Sequence, residues 1–272
     1  MPHQEIEPPA ALRDTIKCFW YDDWEFGELP TSFEVLPDGY AEIIFYFGSA
    51  CSISTESGLQ PLSSPFMVGL LSQPVLFHAQ NRLEVIGIRC FPWTVFELLG
   101  LPAGQDSVRV FAHPIAHLQA PLAAAIRAGR VAEAMAQVAA YFGQARARPA
   151  SASLLGKAGG AMHAANGTLP VSQVAAAAHA TVRTLERKFK QAAGYTVKDV
   201  SGLMRFEQVR NHLWRHPGAN LAGLAQELGY NDQAHLSREF KRYSGTTPAA
   251  FARKTKRTQQ AVSPDFVAFI QA

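Results

Sequence analysis

Residues 181–197, TVRTLERKFKQAAGYTV, and residues 228–251, LGYNDQAHLSREFKRYSGTTPAAF, decide the fold of the C-terminal third, because each spells a short amphipathic helix with a cationic outer stripe. In the first, Thr181 is placed to cap a helix whose Val182, Leu185 and Phe189 face inward. Arg183, Glu186, Arg187 and Lys190 then recur at i, i+3, i+4 and i+7 on the opposite side. In the second, Asn231 or Asp232 is the cap, Leu236 and Phe240 face inward, and Ala234, Ser237, Arg238 and Lys241 form the outward stripe. Arg187 and Arg238, Lys190 and Lys241, Gly194 and Gly245, and Thr196 and Thr247 all stand 51 positions apart, so the chain carries an internal repeat.

Each stretch is preceded by a second helical pattern. Pro170 suits a first helical turn, and Val171, Val174, Ala175 and Ala178 follow at i, i+3, i+4 and i+7. Leu221, Leu224, Ala225 and Leu228 repeat that pattern at an offset of 50. Two short helices joined by a tight turn, the second with polar groups outward, predict helix-turn-helix units over about 170–194 and 220–245. Between them Thr196 to Arg215 reads as one helix through Val200, Leu203, Phe206, Val209 and Leu213. At 1.5 Å per residue it spans roughly 30 Å, against about 34 Å for one turn of DNA. One chain can therefore set two recognition helices in successive major grooves.

Charge supports a polyanion partner for this half alone. Residues 1–150 carry 9 Lys+Arg and 15 Asp+Glu, whereas residues 151–272 carry 16 and 7, so an acidic module precedes a basic one. Lys254, Lys256 and Arg257 extend the basic run, as a backbone contact or as a frayed end. No apolar run approaches the roughly 18 residues of a membrane span, and the start MPHQEIEPP has no signal-peptide pattern, so a soluble cytoplasmic protein is expected. Cys18, Cys51 and Cys90 lie too far apart for a zinc site and read as free buried thiols. His113 and His117 have Pro114 between them and no carboxylate or thiol beside them, so neither a metal nor a cofactor is expected.

The first half reads as strands over 33–91: SFEVLP, AEIIFYF after the Pro37-Asp38-Gly39 turn, FMVGL, PVLFHA and LEVIGIRCF. A short helix over Trp93–Leu99 follows, then an amphipathic helix with Val131, Met135, Val138 and Phe142 on one face, a stripe that packs within the domain or seams a dimer. ARARPASAS, 145–153, reads as the linker, which gives domains of 1–148 and 149–258.

Over residues 153–253 the two quoted stretches resemble the double helix-turn-helix signature of AraC/XylS-type transcription regulators. The resemblance implies an all-α, homeodomain-like domain whose base-contacting positions are Arg183, Glu186 and Arg187 in the first unit and Gln233, His235 and Arg238 in the second. The chemistry agrees: Arg bonds guanine bidentately, Gln bonds adenine, Glu accepts from cytosine, and Ala234 can meet a thymine methyl. Thr181, Lys190, Ser237 and Lys241 suit phosphates. His179-Ala180 stands in the first turn where the family often has a glycine.

The first half is similar to AraC-type sensor domains, which implies an α+β chain with an N-terminal cupin-like antiparallel β-barrel. Trp24, Tyr46, His78 and Arg89 are candidate effector-pocket residues, each with a structural alternative. A buried Arg89 would need an acidic partner from the protein or from a ligand, and an edge position would need none. The expected function is a sequence-specific transcription regulator, activator or repressor, acting on double-stranded DNA and controlled by a small-molecule effector. RNA polymerase and a second copy of the chain are further partners left open. The alternatives are a cupin-like metalloenzyme, for which the strands offer only His78, or an effector-free dimerisation scaffold.

Overall fold

The computed structural model describes residues 3–101, 107–145 and 153–259. The expected boundary at 148/149 and most of the linker lie outside them. The first part is built on β1 (Gln4–Ile6), β2 (Ile16–Glu25), β3 (Thr31–Val35), β4 (Ala41–Gly48), β5 (Cys51–Thr55), β6 (Gly58–Leu62), β7 (Phe66–Val68), β8 (Val75–Ala79), β9 (Arg82–Cys90) and β10 (Val108–Val110). They form two antiparallel sheets, ordered β1-β2-β9-β4-β7-β10 and β3-β8-β5-β6.

The six-stranded sheet is a middle layer. Phe19, Tyr21, Ile43, Phe45, Ile86 and Ile88 leave one face toward helices α1 (Val95–Leu99), α2 (Gln119–Arg127) and α3 (Val131–Ala145). Cys18, Trp20, Trp24, Ile44, Leu83 and Val85 leave the other toward Phe33, Ile53 and Phe77 of the four-stranded sheet. Because both faces are covered, β2 and β4 are buried along most of their length rather than at alternate residues. Each fully buried large side chain here contributes about 1.5–3 kcal/mol relative to exposure. Val131, Met135, Val138 and Phe142 of α3 are all buried in the helix-side core, so that stripe packs within the chain.

The second part contains α4 (Leu154–Ala164), α5 (Val171–Ala177), α6 (Val182–Ala193), α7 (Val197–Arg215), α8 (Leu221–Glu227), α9 (Gln233–Ser244) and α10 (Pro248–Gln259). Helices α4, α5 and α6 pack on one another as one unit, and α7, α8 and α9 as the next, with α10 against α7 and α9. The repeat has a physical cause at each pairing. Gly194 and Gly245 close α6 and α9 in the left-handed region, at φ 76° and 71°. Thr196 caps α7 in a reciprocal box with Asp199, and the Thr247 hydroxyl accepts from the Ala250 N–H.

The two parts share a core. Leu36, Leu70 and Trp93 belong to the same apolar cluster as the helical residues. The Trp93 ring stacks on Phe91 at 5.3 Å and lies 5.8 Å from Phe189 of α6. A Cβ at Gly159 of α4 would sit 2.1 Å from that indole, so only glycine admits it. Tyr195 donates its hydroxyl hydrogen to the Leu70 carbonyl at 2.5 Å, and Arg210 donates to the Pro37 carbonyl at 3.2 Å.

Candidate nucleic-acid interface and the cavity of the sheets

Helices α6 and α9 are the second helices of their units. Thr181 caps α6 by accepting from the Thr184 N–H at 3.2 Å, and Asp232 rather than Asn231 caps α9 by accepting from the His235 N–H at 2.6 Å. The inward sets are Leu185 with Phe189 and Leu236 with Phe240, all completely buried. Arg183, Arg187, Lys188 and Lys190 are exposed along α6, and Gln233, Ala234, Arg238, Lys241 and Arg242 along α9.

Four expected positions differ. Val182, expected inward, is 43% exposed, because the first residue of α6 precedes the turn that meets the core. Glu186 is half-buried and its carboxylate accepts from the Val197 N–H at 3.2 Å, which caps α7 and turns the group from the outer stripe. His235 is half-buried, with its ring edge-on to Tyr230 at 5.3 Å, and Ser237 is likewise half-buried.

The linking helix fixes α9. Nη2 of Arg205 on α7 donates to both oxygens of Glu239 on α9, at 3.1 and 3.0 Å, and Nη1 donates to the Gly167 carbonyl of the first unit at 2.9 Å. Its guanidinium also lies over the Tyr230 ring, 5.2 Å from the centroid. No sequence pattern pairs Arg205 with Glu239, which lie 34 positions apart. The turns before α6 and α9 are left-handed in both units, at His179 (φ 51°) and at Gly229 (φ 72°).

Between the two sheets lies a cavity of about 40 Å³. One water occupies roughly 10–15 Å³ on that measure, so the space suits a small molecule. Six aromatic side chains line it, from Trp20, Trp24, Phe33, Tyr46, Phe66 and Phe77, together with Glu42. Of the four expected pocket residues, Trp24 and Tyr46 line it, and His78 and Arg89 do not. His78 follows Phe77 on β8 and so points to the other face, where its ring meets the Ser54 hydroxyl at 2.7 Å. Glu42 was missed because an acidic residue opening an apolar strand reads as a strand end.

Arg89 is mostly buried, and the protein itself supplies its acidic partners: Glu42 at 2.6 Å and Asp38 at 3.2 Å. The group also lies 5.3 Å over the Tyr40 ring. Against it, from α7, come Glu207 and Arg210, themselves 3.9 Å apart. Three carboxylates thus share two guanidinium groups. Burial pushes Glu42 above the usual carboxylate range, with the Asp38 charge adding to the shift and Arg89 only partly opposing it. Burial pushes Glu207 up in the same way, again with Asp38 adding.

Among the described residues no group of histidine, cysteine and carboxylate side chains is arranged to hold a metal ion, and no helix is long and apolar enough to cross a membrane. The three cysteines are free and buried.

Comparison with known proteins places the helical part. Residues 174–254 match the family model described as "Helix-turn-helix domain". The C-terminal region carries a helix-turn-helix domain. Residues 4–118, ahead of this domain, match the family model described as "Domain of unknown function (DUF6597)". Among solved structures the chain is similar to ToxT from Vibrio cholerae O395, at 10% identity and a TM-score of 0.48, over 86% of this chain and 97% of that one. It is similar to the DNA-binding domain of AdpA, described as a global transcriptional factor in complex with a target DNA, at 21% identity and a TM-score of 0.37, over 40% and 97%. The C-terminal domain of AraT, a response regulator from Geobacillus stearothermophilus, is matched at 22% identity and a TM-score of 0.33, over 36% and 84%. No curated protein matches.

Proposed function

We propose that this protein is a sequence-specific transcription regulator that reads two adjacent major grooves of one duplex and responds to a small molecule held between its sheets. The observation that carries the reading is the pair of exposed cationic helices, α6 and α9, held on one scaffold by a 19-residue α7. That helix is about 28 Å long, close to one turn of DNA. Arg183 and Arg187, and Gln233, Ala234 and Arg238, are the base readers in this proposal. Lys190 and Lys241 neutralise phosphates and Thr181 hydrogen-bonds one, while Glu186 supports α7 in the free protein. The protein acts by binding rather than by catalysis.

Fluorescence anisotropy on duplexes from the region upstream of its own gene tests this, against a scrambled duplex and at several salt concentrations. Arg187→Ala and Arg238→Ala are each expected to weaken specific binding by about 1–3 kcal/mol and to relax discrimination at their positions. Equal affinity for scrambled DNA, with both variants unchanged, would reduce the basic half to a nonspecific polyanion surface.

A further inference from the structure

The turn between β3 and β4 presses on the helix that joins the two units. Residues 36–40, LPDGY, are buried except for the half-buried Asp38. Asp38 ties the turn to the sheets, because its carboxylate accepts from the Tyr40 N–H at 2.9 Å and pairs with Arg89 of β9 at 3.2 Å. Its neighbours face α7. The Pro37 carbonyl accepts from Arg210 at 3.2 Å, and the Gly39 N–H donates to the side chain of Glu207. A Cβ on Gly39 would stand 3.2 Å from Cγ of Met204, so this approach leaves almost no room. Gly167, in the loop between α4 and α5, comes as near: a Cβ on it would stand 2.9 Å from the Met204 Cβ and 2.4 Å from the Ser201 carbonyl oxygen. The turn therefore bears on α7 where the first unit meets it.

The second unit holds α7 from the opposite side. Successive helical residues turn by about 100°, which puts Met204, Glu207 and Arg210 on one side of α7 and Gly202, Arg205 and Phe206 on the other. There Arg205 pairs with Glu239, Phe206 lies 5.0 Å from Phe240, and a Cβ on Gly202 would stand 2.8 Å from the Tyr243 hydroxyl oxygen. Helix α7 is clamped between the turn and α9, with glycine at the tight contact on each side.

We propose that this turn is a positioning element for DNA reading: by fixing α7 against the first unit, it sets the spacing of half-sites that α6 and α9 accept together. This rests on the reading of α6 and α9 as two heads on one duplex, and adds what fixes their separation. Each base pair advances a duplex by about 3.4 Å and turns it by roughly 35°, so a rigid frame admits one spacing where a loosened frame admits several. A close-packed contact resists displacements of that size. The sheet part thereby takes part in the choice of DNA sequence without touching DNA.

Fluorescence anisotropy of the full chain tests this on a duplex with both half-sites, on the same duplex with one base pair inserted or removed between them, and on one with a half-site scrambled. For the parent chain, changing the spacing by one base pair is expected to weaken binding on the order of tenfold. Gly39→Val drives a branched side chain onto Met204. It is expected to cut that penalty below about threefold or to move the optimum by one base pair, with affinity for a single half-site kept within about twofold. Adding Met204→Ala to Gly39→Val returns volume to the contact and is expected to restore the parent's preference. If circular dichroism shows that valine prevents folding, Gly39→Ala, which Met204 can meet by yielding a few tenths of an ångström, takes its place with a smaller change in the same direction. A folded variant that keeps the parent's spacing penalty overturns the proposal. Equal loss on every duplex overturns it too, because plain destabilisation acts in that way. A parent chain that binds its DNA specifically yet tolerates every spacing overturns the two-groove reading itself, and this inference with it.

Discussion

His179 occupies a left-handed position that its side chain disfavours, whereas the matching residue of the second unit is Gly229. A non-glycine residue there costs about 1–2 kcal/mol, partly offset by the extra freedom glycine gains on unfolding. His179→Gly is therefore expected to stabilise the protein by roughly 0.5–1 kcal/mol, seen as a higher midpoint in urea with an unchanged slope. The departure from glycine was visible in the sequence, and the positive φ at that position explains why glycine is the usual occupant. Other single residues were less legible. A helical wheel places Val182 with the core residues, but wheels ignore where a helix starts, and the first residue of α6 stands off the core. Arg89 announced its need for an acid without showing which, since Asp38 and Glu42 reach it through folding of a turn and a neighbouring strand.

Elements were most legible where caps and periodicity agreed. Helix α7 was expected over 196–215 and runs Val197–Arg215, because Thr196 begins it and the apolar positions are strictly helical. Strand β2 was missed: IKCFWYDDWE is buried on both faces, so it lacks the alternation that marks a strand. The β5–β6 hairpin was missed for the opposite reason, since CSIST and GLQPL are mostly polar or exposed and pair through backbone bonds. At this scale the ion pair between α7 and α9 is the testable feature. Arg205→Ala leaves Glu239 largely buried without its main cation and is expected to cost about 3 kcal/mol. Binding at the second half-site should weaken more than at the first, which half-site substitutions in the DNA would resolve. Equal loss at both would mean Arg205 serves only global stability.

Across the whole molecule, the charge asymmetry and the repeat gave the division of labour, but nothing in the sequence showed that the two parts share a core. That contact depends on residues far apart in the chain, such as Tyr195 with Leu70 and Arg210 with Pro37. The interface should respond to pH through Glu207. Its folded pKa is raised above the ordinary value near 4.5, first by burial and then by Asp38, so the folded state holds the proton more tightly than the unfolded one. The stability this gives is present below the ordinary value and is lost as pH rises through the raised one. Glu207→Gln, neutral throughout, is expected to flatten the fall in melting temperature as pH rises above the ordinary carboxylate value near 4.5. A slope equal to that of the parent protein would show that Glu207 titrates no differently once folded.

Trp93 is encoded with the sheets but completes the apolar centre of the helices, and it fits there because position 159 has no side chain. Plug and socket therefore lie on opposite sides of the segment where two such genes would most naturally be spliced. A chimera joined there inherits one half of the fitting from each parent. Unless both parents place an indole and a glycine at these positions, it carries either an unfilled hole or an indole with no place to go. Exchange of sensors between regulators of this design is thus restricted to partners that already share the pair.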